Sequence, residues 1–217
     1  MNRSVLSSVV SFAFFWGSAI LQLNSLHAQS FFGVRNTVRG GEFYWLTTGS
    51  IFVPRGNNYI RLAEQMDVFG GGLIKHHSTF DVSSDGYNAL RSENALRDMQ
   101  AAGYNIVRVF INENDVGNPL GSGLKGSYLD NVTDFLHRAK AHGLYVIPVL
   151  CYVPKSGGYY TAIDTSKFGA WNLFYLNSKF VSAKQRYVTD FIQGLKARGA
   201  PMDAIFAYAI ENEQYYN

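Results

Sequence analysis

Reactive side chains gather at the end of the apolar run IFAYAI, where Glu211, Asn212 and Glu213 arrive together. In an extended chain Glu211 and Glu213 share one face and Asn212 takes the other. A carboxyl held among aromatic side chains has its charged form disfavoured by desolvation. The raised pKa suits a general acid that must keep a proton near neutral pH. Glu213 is the leading candidate for that role. The competing reading makes both glutamates ordinary solvated acids of a loop. Arg108 lies inside NIVRVFI, and a guanidinium cannot stay unpaired in an apolar layer. It must reach an acceptor, and a carboxylate is the natural one. The competing reading is a structural ion pair with no part in chemistry.

Other groups carry weaker signals. The stretch CYVPKSGGYYTAIDTSKFGAWNLFYLNSKF holds Tyr152, Tyr159, Tyr160, Phe168, Trp171, Phe174 and Tyr175. Sugar rings present apolar C–H faces that stack on aromatic rings, so this stretch reads as a glycan platform. Tyr160 and Trp171 are the residues assigned to exposed stacking, with Tyr59, Tyr215 and Tyr216 as further subsites. The alternative is a lid that packs its own aromatics. His76 and His77 with Asp81 and Asp85 lack the spacing of a metal site and read as a solvated loop. Cys151 reads as a small buried hydrophobe. Asn131-Val132-Thr133 matches a glycosylation acceptor but falls in an expected helix.

The elements that position these groups follow from a repeated unit. The segments 101–112, 141–152 and 197–213 each begin Ala-x-Gly and run into an apolar stretch. Each is preceded by a helical pattern. Leu90, Leu96, Met99 and Ala102 form one apolar face. Tyr128, Val132, Phe135, Leu136 and Ala139 form a second. Phe180, Ala183, Tyr187, Phe191 and Leu195 form a third, at spacings of three and four. The glycine after each helix suits a left-handed cap. Strands alternating with helices imply βαβ units and a parallel sheet. A first core strand is expected at 50–55, in a hairpin with 43–48. The Gly70–Gly72 run and 76–84 are assigned to the long loop after it. Four strands and three helices after a short hairpin make an α/β chain that reads as the N-terminal half of a (β/α)8 TIM barrel. An open doubly wound sheet competes, but GNNYIRLAEQ lacks the glycine pattern of a phosphate turn. In either architecture the site lies at the C-terminal ends of the strands. Those ends carry Asn57 and Asn58, Asn112 and Glu113, Tyr152, and Asn212 with Glu213.

Composition narrows the class. The 217 residues are 47% hydrophobic and 16% charged, which excludes a disordered chain. Net charge is +3, from 19 basic and 16 acidic residues, with no basic run. No nucleic-acid partner is expected. One cysteine excludes an internal disulfide framework. Arg3 followed by the apolar 5–23 and small residues up to Ala28 reads as a secretory signal. The expected organisation is a signal peptide over 1–28, with membrane anchoring as the alternative, then a partial barrel domain over 29–217. With the leader cleaved, a secreted or cell-envelope protein without stable membrane association is expected.

IFAYAIENEQ resembles the fourth-strand segment of retaining glycoside hydrolases of clan A, family five. FVPRGNNY, LRDMQAAGYNIVRVFI and LYVIPVL are similar to that family's first, second and third strand regions. The resemblance spans roughly 40–213 and leans to the endo-β-mannanase and cellulase branch. It implies Glu213 as general acid/base, Asn212 as the residue that bonds the sugar 2-hydroxyl, and Arg108 as the residue that orients the nucleophile. Asn58, Tyr152, Tyr160 and Trp171 join Asn212 as substrate-binding candidates, with a β-linked mannan or glucan as partner. Gln214 stands where the family usually has proline. The family's nucleophile lies on the seventh strand, which this chain lacks. Retaining hydrolysis needs two carboxyls about 5–5.5 Å apart and no cofactor or metal. The expectation is therefore a truncated half whose C-terminal partner supplies the nucleophile. The alternative is a catalytically inactive carbohydrate-binding half barrel.

Overall fold

The computed structural model describes residues 31–38, 40–66, 72–83, 85–160 and 177–212. The leader expected over 1–28, Trp171 and Glu213 lie outside them. The chain opens with β1 (Phe32–Thr37), β2 (Gly40–Trp45) and β3 (Ile51–Phe52), an antiparallel sheet in that order. Then come β4 (Gly56–Asn58) and the hairpin β5 (Leu62–Met66) with β6 (Leu73–His77). Helix α1 (Ala89–Ala101), β7 (Ile106–Phe110), α2 (Gly126–Ala141) and β8 (Tyr145–Val149) come next. Helix α3 (Ser178–Ala197) and one 3-10 turn (Met202–Ala204) complete the order. Strands β4, β7 and β8 form a parallel sheet in that order. The result is a mixed α/β fold with no closed barrel among the described residues. No described helix is long and apolar enough to cross a membrane.

The first core strand begins later than the expected 50–55. Ile51 and Phe52 pair with Tyr44 and Phe43 of β2. Pro54, which has no N–H to give a ladder, separates this antiparallel piece from parallel β4. Asn105 bridges the junction. Its Oδ1 accepts from Arg55 N–H at 2.7 Å and its Nδ2 donates to Val53 O at 2.9 Å. Gly56 then pairs with Ile106 so closely that a Cβ would sit 2.9 Å from the Ile106 carbonyl oxygen.

Side chains of β7 alternate between the two faces of the sheet. Val107 and Val109, with Ile111 beyond the strand, join the core shared with the helices, while Ile106, Arg108 and Phe110 take the other face. Helix α2 packs between α1 and α3. All five residues of its expected face are buried, as are all five of α3. The face expected for α1 is only half right. Leu96 is buried, but Leu90 is 70% exposed and Ala102 is exposed at the cap. Gly103, Gly143 and Gly199 come after the three helices at φ of 81°, 67° and 68°, the left-handed region where glycine meets no Cβ penalty.

The run expected as the last strand lies along β8 but does not form a regular ladder. Bridges join Val146 to Ile205 and Val149 to Ala209. Four residues of β8 are thus matched by five on the partner, the one-residue excess of a β-bulge. The extra residue breaks strict alternation before Glu211 is reached. Below, Phe32, Trp45, Phe52, Tyr145 and Phe206 pack with ring centroids 4.5 to 5.9 Å apart and close the N-terminal end of the sheet.

Phe135 of α2 is fully buried, stacked on Tyr59 at 5.6 Å and edge-on to Phe80 at 5.3 Å. Phe135→Ala should therefore cost about 3–5 kcal/mol in urea unfolding, with the denaturant slope unchanged. A loss under about 1 kcal/mol would show that this ring is not part of a packed core.

Candidate active site

Arg108 occupies the middle of β7, on the face that does not meet the helices. Its Nη2 donates to Asn212 Oδ1 at 2.6 Å, joining residues 104 apart. Its guanidinium carbon sits 4.5 Å from the centre of the Phe110 ring. The acceptor is thus an amide oxygen rather than the expected carboxylate. A guanidinium offers only donors, so the Asn212 amide must turn its oxygen to Arg108. Its Nδ2 donors then point elsewhere. Asn58 stands opposite Arg108 in the β4–β7 register, with its side chain exposed. Arg108 O accepts from Tyr59 N–H at 2.9 Å, so β4 runs beside β7 to its end.

A second polar knot lies where β8 ends. Lys184 of α3 is buried, and its Nζ donates to Leu150 O, to Tyr152 O and to Glu211 Oε1, the last at 2.7 Å. Glu211 Oε2 accepts from Tyr152 N–H at 3.2 Å. Burial holds the Lys184 amine below the ordinary lysine range, while the Glu211 charge works against that shift. Cys151 lies beside this knot. Burial, with Glu211 and Glu113 nearby, pushes its thiol up to about 12. It carries almost no thiolate at neutral pH and is not a nucleophile. Glu113 lies just beyond β7. Burial raises its carboxyl above the usual range, against a hydrogen bond from its own N–H and the charges of Lys155, His76 and Lys184.

The third group anchors the loops. Asn112 is fully buried, and its Nδ2 donates to both Asp81 carboxylate oxygens at 3.1 and 3.0 Å. Its N–H donates to Tyr128 Oη at 2.8 Å. His76 and His77 are not a solvated loop. They end β6, where Asn114 Nδ2 lies 2.8 Å from His76 Nδ1 and the His77 ring stacks on Phe110 at 4.0 Å. Burial, then His76 and Arg108, lowers the His77 pKa. Aromatic stacking and the β5–β6 pairing pull both histidines inward. No group of three potential metal ligands occurs among the described residues.

Of the expected site residues, Arg108, Asn212, Asn58 and Tyr152 come together at the ends of β4, β7 and β8. Tyr160 is half buried, with Lys155 Nζ 4.6 Å from its ring centre. Tyr159 belongs to the core instead, fully buried and donating to Asp190 at 2.5 Å. Glu213, Trp171, Phe168, Phe174, Tyr175, Tyr215 and Tyr216 lie outside the described residues. Lys184 was not anticipated. A signal was present, because it sits four after Phe180 and three before Tyr187, inside the apolar stripe of α3.

Glu113 yields a pH test. Its folded pKa lies above the unfolded value, so its stabilisation is present below the unfolded pKa and lost as pH rises through the folded one. Glu113→Gln should therefore raise the urea midpoint relative to wild type at pH 7 and leave it nearly unchanged at pH 4. Equal effects at both values would mean the carboxyl is not desolvated.

No family model matches the sequence, and no curated protein matches it. Among solved structures, the fold is similar to an endo-1,4-beta-mannanase from Rhizomucor miehei, with a TM-score of 0.53 and 15% sequence identity. The match covers 85% of this chain and 49% of that one, so the chain spans about half the length of the mannanase. At that identity the likeness is one of fold: the described α/β framework is TIM-barrel-like, of a kind found in a glycoside hydrolase.

Proposed function

We propose that the chain carries the acid/base half of a retaining β-glycosidase site, on the N-terminal half of a (β/α)8 barrel, for a β-linked mannan or glucan. The observation that carries this reading is the 2.6 Å bond from Arg108 to Asn212 at the C-terminal end of the parallel sheet. Glu213 is the next residue in the sequence. The mannanase-like fold supports glycan hydrolysis in general.

In this reading Glu213 protonates the leaving glycosidic oxygen. Asn212, its amide oriented by Arg108, donates from Nδ2 to the sugar 2-hydroxyl, a bond that strengthens in the oxocarbenium-like transition state. The second carboxylate attacks the anomeric carbon and forms a glycosyl-enzyme. Glu213 then takes a proton from water to release the sugar. Neither Glu113 nor Glu211 is assigned as that second carboxylate. Trp171, Tyr160, Tyr152 and Asn58 bind neighbouring sugars. The 1–28 segment directs export to the cell envelope or beyond, and the chemistry calls for no cofactor.

A second reading, glycan binding without turnover, is favoured by one observation. Glu211 is committed to Lys184, and burial raises the Glu113 pKa, so neither of these two carboxyls is an obvious nucleophile.

An external anion separates the two readings. Azide can attack the anomeric carbon of an aryl β-mannoside or β-glucoside while Glu213 delivers a proton to the departing aryl oxygen. The expected product is the inverted α-glycosyl azide, at a rate that rises with azide. Glu213→Gln should lower that rate by about 10²-fold or more for a leaving group that needs protonation. Binding of mannohexaose or cellohexaose with no azide-dependent turnover would favour the second reading, and no binding at all would refute both.

A further inference from the structure

The Lys184–Glu211 pair is out of place on stability grounds. Both side chains are only 9% exposed. Replacing a buried ion pair with packed apolar groups is often neutral or stabilising. The groups that the pair holds give it a different purpose. The ammonium has three hydrogens, and the structure gives them three acceptors: Leu150 O, Tyr152 O and Glu211 Oε1. Tyr152 sits between the two charges. Its carbonyl accepts from Lys184 and its N–H donates to Glu211 Oε2 at 3.2 Å. Tyr152 is also the one described non-glycine residue in the left-handed region, at φ 48°. Such a conformation is strained for a residue with a Cβ and persists where the surroundings over-determine it. Here the surroundings are the two ends of one ion pair.

The same pair fixes the neighbouring segment of the chain. Glu211 is tied toward α3, and the adjacent Asn212 is tied by Arg108 to β7. Neighbouring residues are thus held by two different elements, α3 and β7, which together restrict this segment. We propose that the Lys184–Glu211 pair is a positioning device that locks Tyr152 in its left-handed conformation and presents Tyr152 and Asn212 together to the sugar. The sugar rests on the glycan-site reading above, whereas the locking does not. Neither Lys184 nor Glu211 contacts substrate. They act through Tyr152 and Asn212.

The test uses the full chain with Glu211→Gln and with the double variant Lys184→Met, Glu211→Leu. The glutamine keeps an acceptor for Lys184 but replaces one carboxylate oxygen with an NH2 group, so Tyr152 loses its charged acceptor. Three readouts are compared with wild type: thermal unfolding, NMR of the Tyr152 amide and the Asn212 side-chain amide, and titration with mannohexaose and cellohexaose. Both folded variants should exchange the Tyr152 amide about tenfold faster or more, because the local opening cost falls. Both should shift the Asn212 side-chain resonance and weaken hexasaccharide binding roughly fivefold or more, an effect a merely structural pair would not have. Unchanged exchange and an unchanged Asn212 resonance in folded variants would overturn the proposal. If the double variant does not fold, Glu211→Gln decides alone. If wild type binds neither hexasaccharide, the glycan reading falls, while exchange and resonance still decide the locking.

Discussion

A guanidinium in the middle of a buried parallel strand must be solvated by something, and the mouth of this sheet is arranged around meeting that requirement. Arg108 replaces water with an amide oxygen of Asn212 and with the face of Phe110. That solution constrains much else. Asn212 must reach across from a segment more than one hundred residues later. β8 must lie between the two, as the order β4–β7–β8 with the bridged 205–209 run beside it provides. The helices pack on the other face, where Val107 and Val109 join the core. The aromatic plug of Phe32, Trp45, Phe52, Tyr145 and Phe206 closes the opposite end. Polar groups are thereby concentrated at the strand C-termini, where parallel α/β folds place their sites.

Around Arg108 the charges are sorted by side. Lys184 and Glu211 neutralise one another between α3 and the end of β8. Asp81 is satisfied by Asn112 at the end of β7. Burial raises the Glu113 carboxyl, against its own N–H and the charges of Lys155, His76 and Lys184. A mouth wired in this way offers positioned donors and few free anions.

How legible this was depends on how locally each feature is encoded. The buried stripes of α2 and α3 were readable because apolar spacing of three and four is a property of the segment itself. The runs of β7 and β8 were readable because strands buried on both faces are continuously apolar. Arg108 and Asn212 stood out as polar residues in such runs. The β5–β6 hairpin did not, because LAEQM and LIKHH alternate weakly and flank a glycine run that resembles a loop. The histidines of β6 were misjudged with it. Lys184 was overlooked because a lysine in an amphipathic helix reads as surface, although its position on the apolar stripe contradicted that. The bulge opposite β8 was beyond reach, since register is decided by the partner strand. It is also the reason that alternation along IFAYAIENE could not assign faces by counting.

The most direct test of the Arg108–Asn212 site is a double-mutant cycle on those two residues, read by hexasaccharide binding to the full chain. Arg108→Met and Asn212→Leu each remove one side of the 2.6 Å contact. If the guanidinium exists to orient the asparagine toward the sugar, the two losses should be strongly coupled, with an interaction energy of about 1 kcal/mol or more. Once either residue is gone, removing the other should matter little. Additive losses would mean that Arg108 and Asn212 act independently, and the central contact of the site would then be structural only.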